Sequence, residues 1–187
     1  MRSLFEKAYR FRYVIYLLLI AIAYANSLHA PFYFDDSHSI ADNSALRVLS
    51  NWYQHWFNPD LTSSLPANRS YRPMTFMVYN WLNVIGDGST FPFHVHKLLL
   101  LSGICVLIEK IWNRLVLTIG KREEPLFGFS LACLWAVHPA LSEASVYITA
   151  SSSLQTTFFY FLAFWFFIRS TPQFFLTLLF YAAACFS

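Results

Sequence analysis

Two adjacent carboxylates, Asp35 and Asp36, follow the apolar triplet Phe32-Tyr33-Phe34. An ionised carboxylate at an apolar boundary is costly, so a pair held there has a reason to be there. The pair can share a cation or a proton. One member can orient while the other takes a proton from a nucleophile. The plain alternative is an Asx-type turn with two solvated side chains. Further along, Asn68-Arg69-Ser70-Tyr71-Arg72-Pro73 sets two guanidiniums at a helix entry. An arginine fork makes two charge-assisted bonds to a phosphate, and a helix start adds free N–H groups. Lipid phosphates would satisfy the same arginines without catalysis. Asn68-Arg69-Ser70 also fits an N-glycosylation acceptor.

A third cluster is His138-Pro139 with Glu143. An imidazole and a carboxylate there can handle a proton or hold a polar substrate, or merely cap a turn. His94 and His96 are two apart, so on a helix they diverge, and His96 is the candidate for facing a cavity. His55 and Asp60 have no assignable partner in the sequence. No glycine-rich phosphate loop and no HExxH zinc helix occur, which argues against internal use of ATP or NAD.

Composition says what must position these residues. Of 187 residues, 57% are hydrophobic and only 12% charged. A soluble domain carries about 25% charged residues, so the chain is read as a membrane protein. This excludes a disordered tail or nucleic-acid arm, and the net charge of +3 is scattered rather than patched. Cys105, Cys133 and Cys185 lie in apolar runs and read as buried small hydrophobes.

Apolar runs predict an all-α polytopic fold with spans near 13–29, 93–117, 125–138, 144–168 and 173–187. A span needs roughly 20 apolar residues. Ala23 and Ala25 also have the spacing of a signal-peptide cleavage site. A polar interlude, 30–92, separates the first two spans. Within it, Ser44–Trp56 carries an apolar stripe at intervals of three and four and predicts a short surface helix. Pro73–Ile85 predicts a second, ended by Gly86-Asp87-Gly88-Ser89. Arg2, Lys7, Arg10, Arg12, the 110–122 stretch and Arg169 fall on one side if the spans alternate. Excess Lys and Arg marks that side as cytoplasmic. The 30–92 loop and His138–Glu143 then share the extracytoplasmic face. The last run, of about 15 residues, has no polar exit and falls short of the roughly 20 a span needs, which suggests the front part of a longer protein.

Taken in order, Phe32-Tyr33-Phe34-Asp35-Asp36, Ile40-Ala41-Asp42-Asn43, Ser70-Tyr71-Arg72-Pro73-Met74-Thr75 and Trp135 through Ala144 resemble a GT-C type membrane glycosyltransferase. The resemblance is closest to the transmembrane-and-tetratricopeptide-repeat family of protein O-mannosyltransferases and its bacterial relatives, in their N-terminal part. It implies transfer of a sugar, such as mannose, from a polyprenyl- or dolichyl-phosphate donor to a hydroxyl on an acceptor protein or glycan. It implies a bacterial inner membrane or endoplasmic reticulum membrane location, membrane lipid as partner and no nucleic acid. By the same resemblance Asp36, ahead of Asp35, acts as base, or the two help bind a divalent metal ion. Arg72 steadies the phosphate, and His138 and Glu143 line the same cavity. Where the family often has Gly-Arg, this chain has Ala150-Ser151-Ser152-Ser153, a departure from the pattern. The competing readings are a transporter or flippase fragment for a lipid-linked substrate, and an inert truncated membrane protein.

Overall fold

A computed structural model describes residues 8–120 and 125–187. Arg2, Lys7 and the polar turn Lys121-Arg122-Glu123-Glu124 lie outside the described residues. Among the described residues every regular element is helical. Helix α1, Arg12–Tyr24, runs into a tighter 3₁₀ turn, Ala25–His29. Its buried residues are Tyr16, Ile20 and Tyr24, one every four positions, so a single stripe packs inward. Leu17, Leu18 and Ile22 face outward and are exposed.

After the loop come α2, Pro73–Ile85, and the long α3, Phe91–Thr118. Then follow α4, Pro125–Ala136, and the short α5, Ser142–Val146, and finally α6, Ser151–Ile168, and α7, Phe174–Cys185. Arg12–His29 and α3 are each long and apolar enough to cross a membrane. The pair Pro125–Ala136 and Pro139–Val146, bent by 53°, is a third candidate if taken as one span. The run 144–168, expected as one continuous span, is divided. Tyr147–Ala150 leaves the helix between α5 and α6. Helix α7 has only 12 residues, and Cys185 at its end is exposed rather than buried.

Helices α1, α3, α4 and α6 share one apolar core around Tyr16, Ile20, Leu101, Ile104, Ala132 and Leu154. Glycine permits the α3–α6 approach, since a Cβ at Gly103 would lie 2.6 Å from the Phe158 ring. A buried carboxylate pins α1 to α3. Glu109 accepts from Tyr16 Oη at 2.7 Å and from Tyr9 Oη at 3.0 Å, and Arg12 Nε lies 3.1 Å away. The Arg12 guanidinium is sandwiched over the rings of Tyr9 and Tyr13. At the far end of α3, Arg114 Nε donates to the Ile168 carbonyl at 2.8 Å and so satisfies the end of α6.

The expected helix over Ser44–Trp56 is not formed. The segment is three separate 3₁₀ turns, Ser44–Arg47, Leu49–Asn51 and Gln54–Trp56. Amide side chains take the backbone groups that a helix would need. Asn43 Oδ1 accepts from Ala45 N. Asn80 Nδ2, on α2, donates to the carbonyls of Leu46 and Val48 at 3.0 and 3.1 Å, and Asn83 Nδ2 joins at Leu46. The predicted helix over Pro73–Ile85 does form, and it is the platform on which the loop rests. Ile40, Leu46, Phe76, Tyr79, Phe93 and Ile148 make the loop's own small core.

His55 is wholly buried in this loop, beside the Phe76 ring, and neither ring nitrogen has a hydrogen-bond partner. Burial pushes its imidazole down to about 4, against about 6.5 for an unfolded chain. As pH falls, the unfolded state therefore binds the proton first. The stability that a neutral His55 confers is complete above about pH 6.5 and is lost on descent toward about pH 4, at about 1.4 kcal/mol per pH unit. In micelles, thermal unfolding of the wild type is expected to drop across that window, and His55→Phe is expected to remove this part of the drop.

Candidate active site

The sequence places Asp35 and Asp36 side by side, but the fold gives them opposite surroundings. Phe34 adopts a left-handed backbone, φ 53°. A bulky residue there is strained, and such strain persists only where neighbours over-determine it. The kink sends Asp36 inward, to 1% exposure. Its Oδ1 accepts from Thr149 N at 2.8 Å and from the Thr149 hydroxyl, and its Oδ2 accepts from Tyr33 N at 3.2 Å. Asp36 thereby ties the loop to the break between α5 and α6.

The Asp35 side chain is 42% exposed and lines a cavity of about 430 Å³. His38, Asn68, Arg69, Arg72, Tyr79, Thr149 and Ser152 share its walls. Asp35 N donates to Tyr147 Oη at 3.1 Å. Burial, and then the bond to the Asp35 side chain, push the Tyr147 phenol up to about 12. Arg72 immediately precedes α2 and donates from Nη1 to Ser152 Oγ at 3.1 Å. Arg69 Nη1 is held by Asp60 Oδ1 at 2.8 Å. Tyr79 is buried, its hydroxyl within hydrogen-bond reach of Ser151 Oγ and the Ile148 carbonyl. Burial raises the Tyr79 phenol well above its ordinary range, so it stays neutral.

The fold therefore brings together Asp35, Arg69, Arg72 and the serine stretch that departs from the family pattern, with Ser152 in contact with Arg72. It does not bring in His138 or Glu143. His138 is exposed and uses Nδ1 to accept from Ala140 N, capping the turn Pro139–Leu141. Glu143 is exposed in the first turn of α5. Neither lines the cavity. His96 sits one step behind it, 3.4 Å from Gln155 Nε2, whose Oε1 accepts from the cavity residue Thr75. The Asn68 side chain lies on the cavity wall, where a glycan would obstruct the site.

His38 was absent from the sequence reading. It reaches back to Asp35, with Nε2 3.2 Å from Oδ1. An aspartate and a histidine three residues apart in a helical turn was the signal available. Lys97, also passed over, is fully buried on α3 with no hydrogen-bond partner for Nζ, in the field of Asp36.

Of the two carboxylates expected to help bind a divalent ion, Asp35 is the one that lines the cavity. Among the described residues no group of three or more His, Cys, Asp or Glu converges. Asp36 has both oxygens engaged, whereas magnesium or calcium takes an oxygen-rich shell.

Fold and site together define an all-helical, membrane-type chain. Its polar cavity offers one carboxylate and two guanidiniums, a set suited to activating a hydroxyl beside an anion. Comparison with known proteins agrees. The chain is 31% identical over 155 residues to protein O-mannosyl-transferase TMTC4 of Homo sapiens, covering 76% of this chain and 21% of that protein. It is 29% identical over 156 residues to protein O-mannosyl-transferase F38B6.6 of Caenorhabditis elegans, covering 78% and 21%. It is 27% identical over 149 residues to protein O-mannosyl-transferase TMTC3 of Mus musculus, covering 78% and 15%. Over the matched region the chain is thus similar to protein O-mannosyl-transferases, the family that the sequence resembles. It spans about a fifth of the length of the Homo sapiens TMTC4 and Caenorhabditis elegans relatives. No family model matches the chain, and no solved structure matches it.

The two carboxylates should separate in an unfolding experiment. Asp36→Ala strands three donors, so a loss of about 3 kcal/mol or more is expected. Asp35→Ala, half exposed, should cost under about 1 kcal/mol. Denaturant unfolding of both variants in micelles measures the difference.

Proposed function

We propose that this chain carries the acceptor-activating and phosphate-holding part of a membrane O-mannosyltransferase. The donor is mannose on a polyprenyl-type phosphate, and the acceptor is a protein hydroxyl on the extracytoplasmic face of a multi-pass GT-C protein. The observation that carries this reading is that Asp35 and Arg72 line one cavity in a chain related to O-mannosyltransferases.

In the proposed step, Asp35 takes the proton as the acceptor O–H bond breaks. The oxygen forms a bond to the anomeric carbon. The bond from that carbon to the phosphate oxygen breaks, and its electron pair leaves with the phosphate. Arg72 receives the developing charge, and Arg69 adds to the field. The departing phosphate is already a stable anion, so no general acid is needed, unlike hydrolysis by paired carboxylic acids. Geometry favours Asp35 over Asp36 as base, because Asp36 has no open face toward the cavity. No step is routed through a metal.

The test uses membranes bearing the full-length protein, a radiolabelled polyprenyl-phosphate mannose and an acceptor peptide. Asp35→Asn should lower transfer by about 10²-fold or more. Arg72→Ala should lower it by a comparable factor of about 10². His138→Ala and Glu143→Gln should stay near wild type. Equal activity of the Asp35→Asn variant and the wild type would overturn the assignment.

A further inference from the structure

We infer that His38 is the positioning residue for Asp35, an inference that rests on the transfer reaction proposed above. Its ring holds one carboxylate oxygen and leaves the remaining lone pairs to the acceptor hydroxyl. His38 lies on the widened turn Ser37–Ala41, three residues past Asp35, so its ring folds back onto the carboxylate. The ring is 14% exposed.

The neighbours favour a proton on Nε2. Ser63 is buried, and its Oγ accepts from Leu65 N at 3.0 Å. That leaves the Ser63 hydroxyl proton free to point at His38 Nδ1, 3.0 Å away. Ser39 Oγ stands on the same nitrogen at 3.2 Å. Nδ1 is then the acceptor and Nε2 carries the proton, which faces Asp35 Oδ1 at 3.2 Å. The Asn68 side-chain nitrogen lies 2.9 Å from Nε2. This tautomer calls for the amide to be turned with its oxygen toward that N–H, an exchange that heavy-atom positions leave open. The chain of bonds runs Leu65 N–H, Ser63, His38, Asp35. Every link points the same way, so the base is held by the loop's backbone rather than by a freely rotating side chain.

A positioning role makes a distinct prediction in the transfer assay. His38→Ala should lower kcat by about 10²-fold, the cost of a misplaced reacting group, with the acceptor KM little changed. His38→Gln keeps a side-chain N–H and should recover most of that loss. Wild-type activity in His38→Ala, or a His38→Gln variant as slow as His38→Ala, would overturn the proposal. A second measurement does not depend on turnover. Long-range proton–nitrogen spectra of the 187-residue chain in micelles should show His38 as a single Nε2–H tautomer, and Asp35→Leu or Ser63→Ala should disperse it. An Nδ1–H signature in the wild type would overturn the proposal. If the wild type transfers no sugar while the tautomer signature is present, the transferase reading fails and the Asp35–His38 pairing stands.

Discussion

A carboxylate taken out of water must find donors, and Asp36 finds Thr149 N–H, the Thr149 hydroxyl and Tyr33 N–H. Much of the site's geometry depends on that exchange. By taking the Thr149 N–H, Asp36 removes a donor that a helix through 144–168 would have used. The chain turns at Tyr147–Ala150 and restarts as α6 at Ser151. The restart sets Ser152 against Arg72, and the turn sets Tyr147 under Asp35. Asp36 therefore ties the loop to the junction from which α6 starts. Lys97 on α3 is fully buried, with no hydrogen-bond partner for Nζ among the described residues.

The apolar helices supply the frame on which this junction can hold its shape. Glu109 and its two tyrosines fasten α1 to α3, and Gly103 lets α6 pack close against the same helix. Such groups are worth more where water is scarce, since an unmade bond there has no solvent substitute. The loop is secured differently. It has little regular structure, and its carbonyls are gathered by the amides of Asn43, Asn80 and Asn83. A polar loop of short 3₁₀ turns can thus be as well determined as a helix, because its backbone groups have fixed partners.

Much of this was legible in the sequence. Long apolar runs give helices whatever their neighbours, so α1, α3 and α4 follow from composition alone, and proline at its head with glycine at its tail marks α2. The carboxylate pair and Arg72 stood out because charge at an apolar boundary needs a cause. Side-chain amides were harder to weigh. The stripe of Leu46, Leu49, Trp52, Tyr53 and Trp56 has helical spacing, yet asparagines on another element capture its carbonyls, a contact no local pattern encodes. His138 and Glu143 shared a boundary with the site in sequence terms, but the proline after His138 turned it into a cap. His38 stands three residues past Asp35, a spacing that a helical turn can use, but the spacing alone assigns it no role. Its role depends on Ser63, twenty-five residues away, and becomes visible only once the loop is closed.

In the proposed reaction Asp35 and Asp36 hold two different tasks. A base must meet its substrate, so it cannot be sealed; an anchor must be sealed, or water would compete for its donors. Asp35 stands in a turn and Asp36 has helical backbone, φ −60° and ψ −28°, and the left-handed residue Phe34 comes just before the pair. Exchanging the two assignments would leave a reacting group with both oxygens engaged and an anchor open to solvent. Because the anchor fixes the backbone immediately beside the base, its burial limits where Asp35 can go. His38 then needs to restrain only the side chain. The strain at Phe34 is sustained by the three bonds of Asp36, and its consequence is a carboxylate aimed into a cavity already walled by arginine.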